Sequence, residues 1–319
     1  MRSTRHRKIT LSAAFLACLL ASADPVLAAD CGPLLDRFNQ AIDTAQEAGA
    51  QALVDEIAGS ADCGEFQTRA QQRLAALRLS AAQILMARGR PPAEYERLLT
   101  ASEATEVLWQ ASATLGEVRF GERRFAEAAE AYDRAIDIVK NETLTPDQPE
   151  KFEIEGLLTR AAQARLLAAN VKMADGTTQF VQTARDKRDG TLGGIYSRSV
   201  RGITPQAVPV PITFEYAKTN FTQIGEQAAR ELADALKEQR PTRITLVGHT
   251  DIRGSDETNL KLSEARAEAV AAYLKNAGVG TAIETKGVGS SEPVKLLDSA
   301  GLSQDDIYAL NRRVEFIRH

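Results

Sequence analysis

Apolar residues recur at intervals of three and four residues through most of the first half of the chain, as at Leu74, Leu77 and Ile84. This interval is the period of one buried helix face. The same stretch is rich in Ala, Glu, Arg, Gln and Leu, which favour helix. Proline and glycine break it into pieces of helical length. The pattern therefore predicts an all-α domain of helical hairpins at residues 29–176.

One hairpin in this region resembles a tetratricopeptide repeat, in which small residues let two helices approach and aromatic residues fill the gap between them. Phe120 lies one position away from a usual aromatic, and Arg123 replaces a usual glycine. A generic hairpin without a binding role is the alternative. The matching residues are Leu115, Gly116, Phe125, Ala128, Tyr132 and Ala135. If the helical domain recruits a protein partner, its groove would lie around Trp109, Phe120, Phe125 and Tyr132. The alternative is that these aromatics are ordinary core residues.

Glycine and proline cluster between residues 177 and 208, and the helical period stops there. Such clusters are typical of a linker. Ile195, Tyr196 and Val200 interrupt its polar character, and they can dock onto a neighbouring surface. We therefore predict a partly ordered linker at residues 177–208.

Short apolar runs alternate with amphipathic stretches over residues 209–319. The order is β-α-β-α-β-β, which predicts a two-layer α/β sandwich. A short helix is expected at 303–310, before the last strand. The predicted strands are 212–216, 243–248, 283–287 and 313–317, and the two main helices are 225–238 and 259–275.

The chain begins with a basic segment, an apolar run of about 13 residues and small residues at a cleavage position. This order predicts a signal peptide at residues 1–28 and an exported, soluble protein. The run is shorter than the roughly 20 residues that a spanning helix needs, and no later segment is long and apolar enough. An uncleaved anchor and a lipid-anchored Cys18 are the alternatives.

Two cysteines follow the predicted leader, each within an Asp-Cys-Gly triplet. An even pair in an oxidising compartment favours a disulfide between Cys31 and Cys63. Two reduced thiols are the alternative. A metal site is not expected, because no histidine or further cysteine lies near them.

Composition and motifs limit the function classes. The net charge of −4 gives no reason to expect a nucleic-acid partner. The chain has three histidines, and it lacks the zinc, phosphate-loop and nucleophile-elbow motifs of common enzymes. We therefore predict a protein without catalytic residues, metal or cofactor.

The most specific chemistry lies at Asp251 and Arg266. Asp251 is on the loop after a predicted strand, and Arg266 is on the following helix. A fixed carboxylate beside a fixed guanidinium suits a zwitterion, because the first pairs with an ammonium and the second takes a carboxylate in a two-pronged bond. An amino-acid-like end of a larger molecule has both groups. The alternative is a surface salt bridge between the two, worth about 0 to 1 kcal/mol.

Several spaced motifs in this last third resemble the OmpA-like peptidoglycan-binding domain. Opening-strand residue Phe214 and the Gly287-Val288-Gly289 turn also fit, whereas residues 303–310 depart from the family pattern. The main motifs are the turn Gly248-His249-Thr250-Asp251, the helix Asn259-x-x-Leu262-Ser263-x-x-Arg266-Ala267-x-x-Val270, and the terminal Asn311-Arg312-Arg313-Val314-Glu315.

The resemblance implies that Asp251 and Arg266 bind meso-diaminopimelate in the stem peptides of peptidoglycan. The family pattern places Thr250 and Asn259 beside the site, where they can supply hydrogen bonds. We expect Asn311 and Arg313 to have structural roles next to the site. If Arg313 opens the last strand, one arginine of the terminal pair points at the site and the other into solvent.

These inferences together predict a non-catalytic binding protein in the periplasm, associated with the cell wall and possibly at the outer membrane. Its C-terminal domain would hold peptidoglycan, and its helical domain would recruit another envelope protein. The alternative is an envelope assembly factor in which the helical domain is the functional part and wall binding is only a tether.

Overall fold

The computed structural model describes residues 31–172, 176–183, 185, 190–204, 207–296 and 301–319. The predicted signal peptide at residues 1–28 lies outside them. The chain divides into two compact units, Met1–Ala70 and Gln71–His319. Among the helices described, none combines the length and apolar character needed to cross a membrane.

The first unit contains α1 (Gly32–Asp43) and α2 (Glu47–Gly59), followed by a short 3-10 turn and the start of α3 (Gln67–Ala87). Phe38, Leu53 and Ile57 are buried between the first two helices. The predicted disulfide between Cys31 and Cys63 is confirmed, with Cα atoms 5.6 Å apart. It joins the start of α1 to the segment after α2.

In the second unit, α3 is followed before the sheet by α4 (Pro92–Glu103), α5 (Trp109–Gly121), α6 (Phe125–Lys140) and α7 (Lys151–Asn170). The helical nature predicted for this region is confirmed. Helices α5 and α6 form a hairpin in which Gly116 faces the ring of Tyr132. A Cβ added at Gly116 would lie 2.7 Å from that ring, so only glycine permits this approach. The tetratricopeptide resemblance itself stays a prediction.

The aromatic groove predicted for a partner is not on the surface. Phe120, Phe125 and Tyr132 are almost fully buried in the main hydrophobic core, and Trp109 packs against it partly buried. Phe120 and Phe125 meet edge to face, with ring centroids 5.3 Å apart. These aromatics fill the space between α5, α6 and α7 instead of facing solvent.

The C-terminal part confirms the predicted α/β class. Four strands form one mixed sheet in the order β1-β4-β2-β3, with β2 and β3 parallel and the other pairs antiparallel. Helix α9 packs on β2 and β3 and beside α8. The elements are β1 (Ala207–Val210), α8 (Gln223–Gln239), β2 (Arg243–Gly248), α9 (Asp256–Asn276), β3 (Ala282–Gly287), α10 (Gln304–Asn311) and β4 (Val314–Arg318).

The first strand differs from the prediction. It runs from Ala207 to Val210, not over 212–216, so it starts within the segment predicted as linker. Pro209 made this stretch resemble a linker, but β1 is an edge strand, where a missing backbone N–H is tolerated. The 212–216 segment instead forms an isolated bridge between Phe214 and Phe221.

Part of the segment between residues 177 and 208 is packed, as the prediction of a partly ordered linker allows, and residues 192–197 are buried. Ile195, Tyr196 and Val200 are buried in the same core as α6, α7 and the sheet. The Tyr196 ring stacks on Phe316 of β4, with centroids 6.4 Å apart. Helices α5 to α7 and the sheet therefore share one continuous core within the second unit.

Candidate functional site

The site is built where β2 ends and α9 begins. Glycine is required at Gly248, because an added Cβ would lie 2.0 Å from the backbone oxygen of Ser263. Gly287 at the end of β3 makes a similar approach to Glu264. Helix α9 therefore lies directly against the strand ends, and this contact fixes Arg266 relative to the loop after β2.

Asp251 lies on that loop, and its side chain is almost fully buried. Its Oδ1 accepts from the backbone N of Arg253 at 3.0 Å, and its carboxylate accepts from the Arg253 guanidinium at 3.1 and 2.6 Å. Oδ2 also accepts from Arg312 Nη1 at 2.8 Å. Two arginines therefore share one carboxylate.

These partners determine the charge of Asp251. Burial alone would raise its pKa, but the hydrogen bonds from Arg253 and Arg312 outweigh burial and lower the pKa to about 2. Asp251 is therefore an anion across the physiological pH range and can pair with a cationic ligand group.

Arg266 is held on two sides within α9. Its Nε donates to the Lys218 carbonyl at 3.2 Å, and its guanidinium carbon lies 4.9 Å from the Phe214 ring centre. Burial, and secondly the charge of Arg312, lower its pKa to about 10. The group remains a cation at neutral pH.

The two residues are neighbours but are not an ion pair with each other. The charge of Asp251 acts on Arg266 and favours its protonated form. Within the described part of the chain, however, Arg266 forms no salt bridge, and no group accepts from its two terminal nitrogens. The Asp251–Arg266 surface salt bridge considered from the sequence is therefore absent from the described residues. The forked end of Arg266 is available to a carboxylate.

Thr250 and Asn259 lie at the same turn and shape it. The backbone N of Thr250 donates to the Gly289 carbonyl at 2.9 Å. The Asn259 side-chain amide donates to the Asp251 carbonyl at 3.3 Å. The buried Thr250 hydroxyl has no partner among the described residues. Asn259 thus orients the backbone of Asp251, and the Thr250 hydroxyl retains its hydrogen-bonding capacity.

Asn311 and Arg313 lie at the entry to β4. Asn311 accepts from Val294 N at 2.9 Å and donates to the carbonyl of Ile307. Arg313 Nε donates to Glu315 at 2.7 Å, and its carbonyl accepts from His249 N. Asn311 therefore ties the end of α10 to the segment after β3, and Arg313 ties the start of β4 to the loop after β2. Among the described residues, neither side chain bonds to Asp251 or Arg266.

Glu315 connects the same group of residues. Burial would raise its pKa, but His249 and Arg313 outweigh burial and lower the pKa to about 2. His249 Nε2 lies 3.6 Å from Glu315 Oε2, and His249 Nδ1 lies 3.2 Å from the Glu292 carbonyl. The His249 ring therefore links the loop after β2 to β4 and to the segment after β3.

Sequence reasoning missed Arg253 and left the roles of the terminal arginine pair open. Arg312 contacts Asp251, while Arg313 is buried and does not face solvent. Arg253 contacts Asp251 and also lies 4.7 Å from the ring centre of Tyr308 on α10. The only sequence signal for Arg253 is its position two residues after Asp251, where an Asp side chain commonly accepts from the backbone.

Comparison with known proteins assigns the class of this domain. Residues 213–303 match the OmpA family, so the C-terminal third of the chain contains an OmpA family domain. Two curated relatives are similar to this chain: the probable lipoprotein YiaD of Escherichia coli and the peptidoglycan-associated lipoprotein of Legionella pneumophila.

The YiaD match is 34% identical over 132 residues, and it covers 41% of this chain and 57% of that protein. The Legionella match is 41% identical over 87 residues, and it covers 27% of this chain and 46% of that protein. This chain therefore spans about half the length of these relatives.

Among solved structures, the peptidoglycan-associated lipoprotein from Burkholderia pseudomallei is similar to this chain. It is 28% identical, with a TM-score of 0.29, and the match covers 36% of this chain and 91% of that one.

Proposed function

We propose that this protein binds peptidoglycan non-covalently, and that Asp251 and Arg266 grip the free end of meso-diaminopimelate in a stem peptide. One observation carries the proposal: a buried carboxylate and a buried guanidinium lie at one strand end without pairing with each other, and the guanidinium has a free forked end. The Legionella relative is named a peptidoglycan-associated lipoprotein, which supports peptidoglycan as the ligand of this OmpA family domain.

The free end of diaminopimelate carries an ammonium and a carboxylate on one carbon. Asp251 would pair with the ammonium, and the terminal nitrogens of Arg266 would take the carboxylate in a bidentate bond. The Thr250 hydroxyl, which has no described partner, can add a hydrogen bond. Phe214 behind Arg266 holds the guanidinium plane in position for this geometry.

Binding requires an exchange at Asp251, because two arginines already occupy its carboxylate. Arg253 is the one that can yield, since its side chain is 57% exposed. The ligand ammonium therefore replaces one cation with another, which limits the gain in free energy. We expect one stem peptide to bind with a micromolar to millimolar dissociation constant. Retention on the wall would come from the high local density of stems.

The test is co-sedimentation of the purified protein with peptidoglycan sacculi. The wild-type protein should pellet with sacculi, and Asp251→Ala and Arg266→Ala should each remain in the supernatant. Arg230→Ala and Asp234→Ala are matched controls, because both side chains are exposed on α8. Pelleting of the Asp251 and Arg266 variants at the wild-type level would refute the site.

We infer a binding role without catalysis for the OmpA family domain. The groups near Asp251 are arginines, an amide and a hydroxyl, and none of them is arranged as a nucleophile beside a base. Incubation with sacculi should therefore release no soluble muropeptides. The ligand and the predicted leader together favour the periplasm, in association with the wall.

The second candidate is an assembly factor whose helical region recruits another envelope protein. The groove that we assigned to that partner is part of the core, so this candidate has no surface assigned to it. Recruitment of an envelope protein stays a prediction. The wall-binding candidate is favoured because a specific pair of side chains supports it.

A further inference from the structure

A second cavity adjoins the Asp251 site, with a volume of about 350 Å³. Arg253 and Arg312 are shared by the Asp251 site and this cavity, because they contact Asp251 and also line the cavity. The opposite wall comes from the helical part of the same compact unit: the turn between α5 and α6 and the segment after α7. The charged residues lining it are Arg123, Lys172, Arg253, Arg312, Asp305 and Asp306.

The cavity is cationic, and one of its cations is unpaired within the described structure. Lys172 is exposed and forms no ion pair with a described carboxylate. Asp306 is already satisfied, because it accepts from Arg123 at 2.5 and 2.9 Å and from Ser303 N at 2.7 Å. Four cations line the cavity against two carboxylates, but Arg123 is paired with Asp306. Arg253 and Arg312 are paired with Asp251, so Lys172 is the one lining cation without a partner among the described residues.

Ligand binding would make this cavity more cationic. When an ammonium takes the Asp251 carboxylate, the exposed Arg253 loses its partner and remains at the boundary of the two sites. A released guanidinium is best stabilised by a new carboxylate, in a bidentate bond. The ligand that displaces the arginine can supply one if it carries a second acid nearby.

We propose that this cavity is an anion-binding extension of the site, and that it takes a carboxylate flanking diaminopimelate in the same stem peptide. Lys172 of the helical region and Arg253 and Arg312 of the OmpA family domain would bind this carboxylate, while Arg123, held by Asp306, lines the cavity beside them. The inference rests on the proposed function, because it places the diaminopimelate end at Asp251 and Arg266. It gives the helical region a direct part in recognition of the wall.

The conformation of Arg123 supports this assignment. Its φ of +64° lies in the left-handed region, where glycine is favoured and where an arginine is strained. The side chain of this strained residue reaches the buried Asp306 near the start of α10. The same helix ends beside Arg312. Through this ion pair, the turn between α5 and α6 is joined to α10, whose C-cap residue is Arg312.

The test is calorimetric titration of the full chain with the tetrapeptide L-Ala-γ-D-Glu-meso-diaminopimelate-D-Ala. Its flanking carboxylates are the α-carboxylate of D-Glu and the terminal carboxylate of D-Ala. Two further ligands carry an amide at one or the other position. Lys172→Ala should weaken binding of the tetrapeptide about two- to fivefold, as expected for one partly exposed ion pair.

The same substitution should leave unchanged the affinity for one of the two amides, and that amide identifies the carboxylate involved. Lys151→Ala, at the exposed start of α7, is the matched control and should bind like the wild type. Equal affinities of wild type and Lys172→Ala for the tetrapeptide would overturn the inference, as would an equal loss for both amides. Asp251→Ala separates the two claims, because binding that survives it contradicts the proposed function itself.

Discussion

The contact between Arg123 and Asp306 leads to a quantitative prediction about the second compact unit. Asp306 has a side chain only 2% exposed, whereas Arg123 is 44% exposed. Truncation to Arg123→Ala removes both hydrogen bonds to Asp306 and leaves the left-handed backbone in place. Truncation to Arg123→Gly removes the same bonds but also releases the backbone strain. Comparing the two variants separates the ion pair from the strain.

Breaking a fully buried ion pair by removing one partner costs about 3 to 5 kcal/mol. Here the cost is reduced, because water can replace the half-exposed arginine and Asp306 keeps its bond from Ser303 N. We therefore expect Arg123→Ala to lower the free energy of unfolding by about 1 to 2 kcal/mol. A left-handed residue other than glycine is strained by about 1 to 2 kcal/mol. Since glycine also gains entropy in the unfolded chain, Arg123→Gly should be more stable than Arg123→Ala by about 0.5 to 1 kcal/mol.

The assay is urea unfolding followed by the fluorescence of Trp109, the single tryptophan, which lies at the start of α5 in the same unit. Arg240 provides a matched control, because it has a φ of +48° and only a local bond to a backbone oxygen. Arg240→Ala should be close to neutral, and Arg240→Gly should be slightly stabilising. The reasoning is refuted if Arg123→Ala is as stable as the wild type, or if Arg123→Gly is less stable than Arg123→Ala.

Three further results follow from the structure. Gly248→Ala should lower the free energy of unfolding by about 1 to 3 kcal/mol, because its Cβ would lie 2.0 Å from the backbone of α9. Gly280→Ala, whose Cβ would meet nothing within 4 Å, should not lower it. Equal urea midpoints for the two variants would contradict this. Asp251 and Glu315 both have folded pKa values of about 2, below their ordinary values of 3.8 and 4.5, so the stability they contribute is present above about pH 5 and is lost as the pH falls towards 2. Thermal unfolding of Asp251→Asn/Glu315→Gln should therefore depend less on pH over that range than unfolding of the wild type. The disulfide joins two cysteines that are 32 residues apart, and its reduction should destabilise the first unit by about 3 to 4 kcal/mol. The loss of stability would be measured as faster proteolysis within residues 31–70. An unchanged cleavage rate would refute this prediction.

The parts of the fold that the sequence predicted well are those whose local pattern decides the structure. Strand β2 was placed at its observed bounds, because apolar residues are confined between a charged residue and a required glycine. The disulfide followed from an even cysteine count after a leader. Helix α10 follows a serine that makes a capping box with Asp306, which is a local signal.

The parts that were missed depend on long-range contacts. Strand β1 contains Pro209, and its first two residues were assigned to the linker; only its pairing with β4 at the sheet edge makes it a strand. Tyr196 lies in a glycine-rich stretch, yet it is buried because Phe316, far along the chain, stacks against it. The aromatic residues near α5 have the spacing of either a groove or a core, and the packing of α7 decides for the core.

The residues of the candidate site also differ in whether a local sequence pattern or a long-range contact determines their position. Asp251 and Arg266 were found because spaced motifs on one turn and one helix carry them. Arg253 was missed because its pairing with Asp251 depends on side-chain direction. The contribution of Lys172 depends on how α7 packs near α10, which has no local sequence signal.

The proposed function requires that Arg266 binds the carboxylate at the free end of diaminopimelate. The most direct test is calorimetric titration with two stem tripeptides that differ at one position, diaminopimelate in one and lysine in the other, since lysine lacks that carboxylate. We expect the wild type to bind the diaminopimelate peptide at least tenfold more tightly than the lysine peptide, because the carboxylate forms a bidentate charge-assisted bond. Arg266→Ala should bind both peptides equally weakly. Equal affinity of the wild type for the two peptides, or a preference that survives in Arg266→Ala, would contradict it.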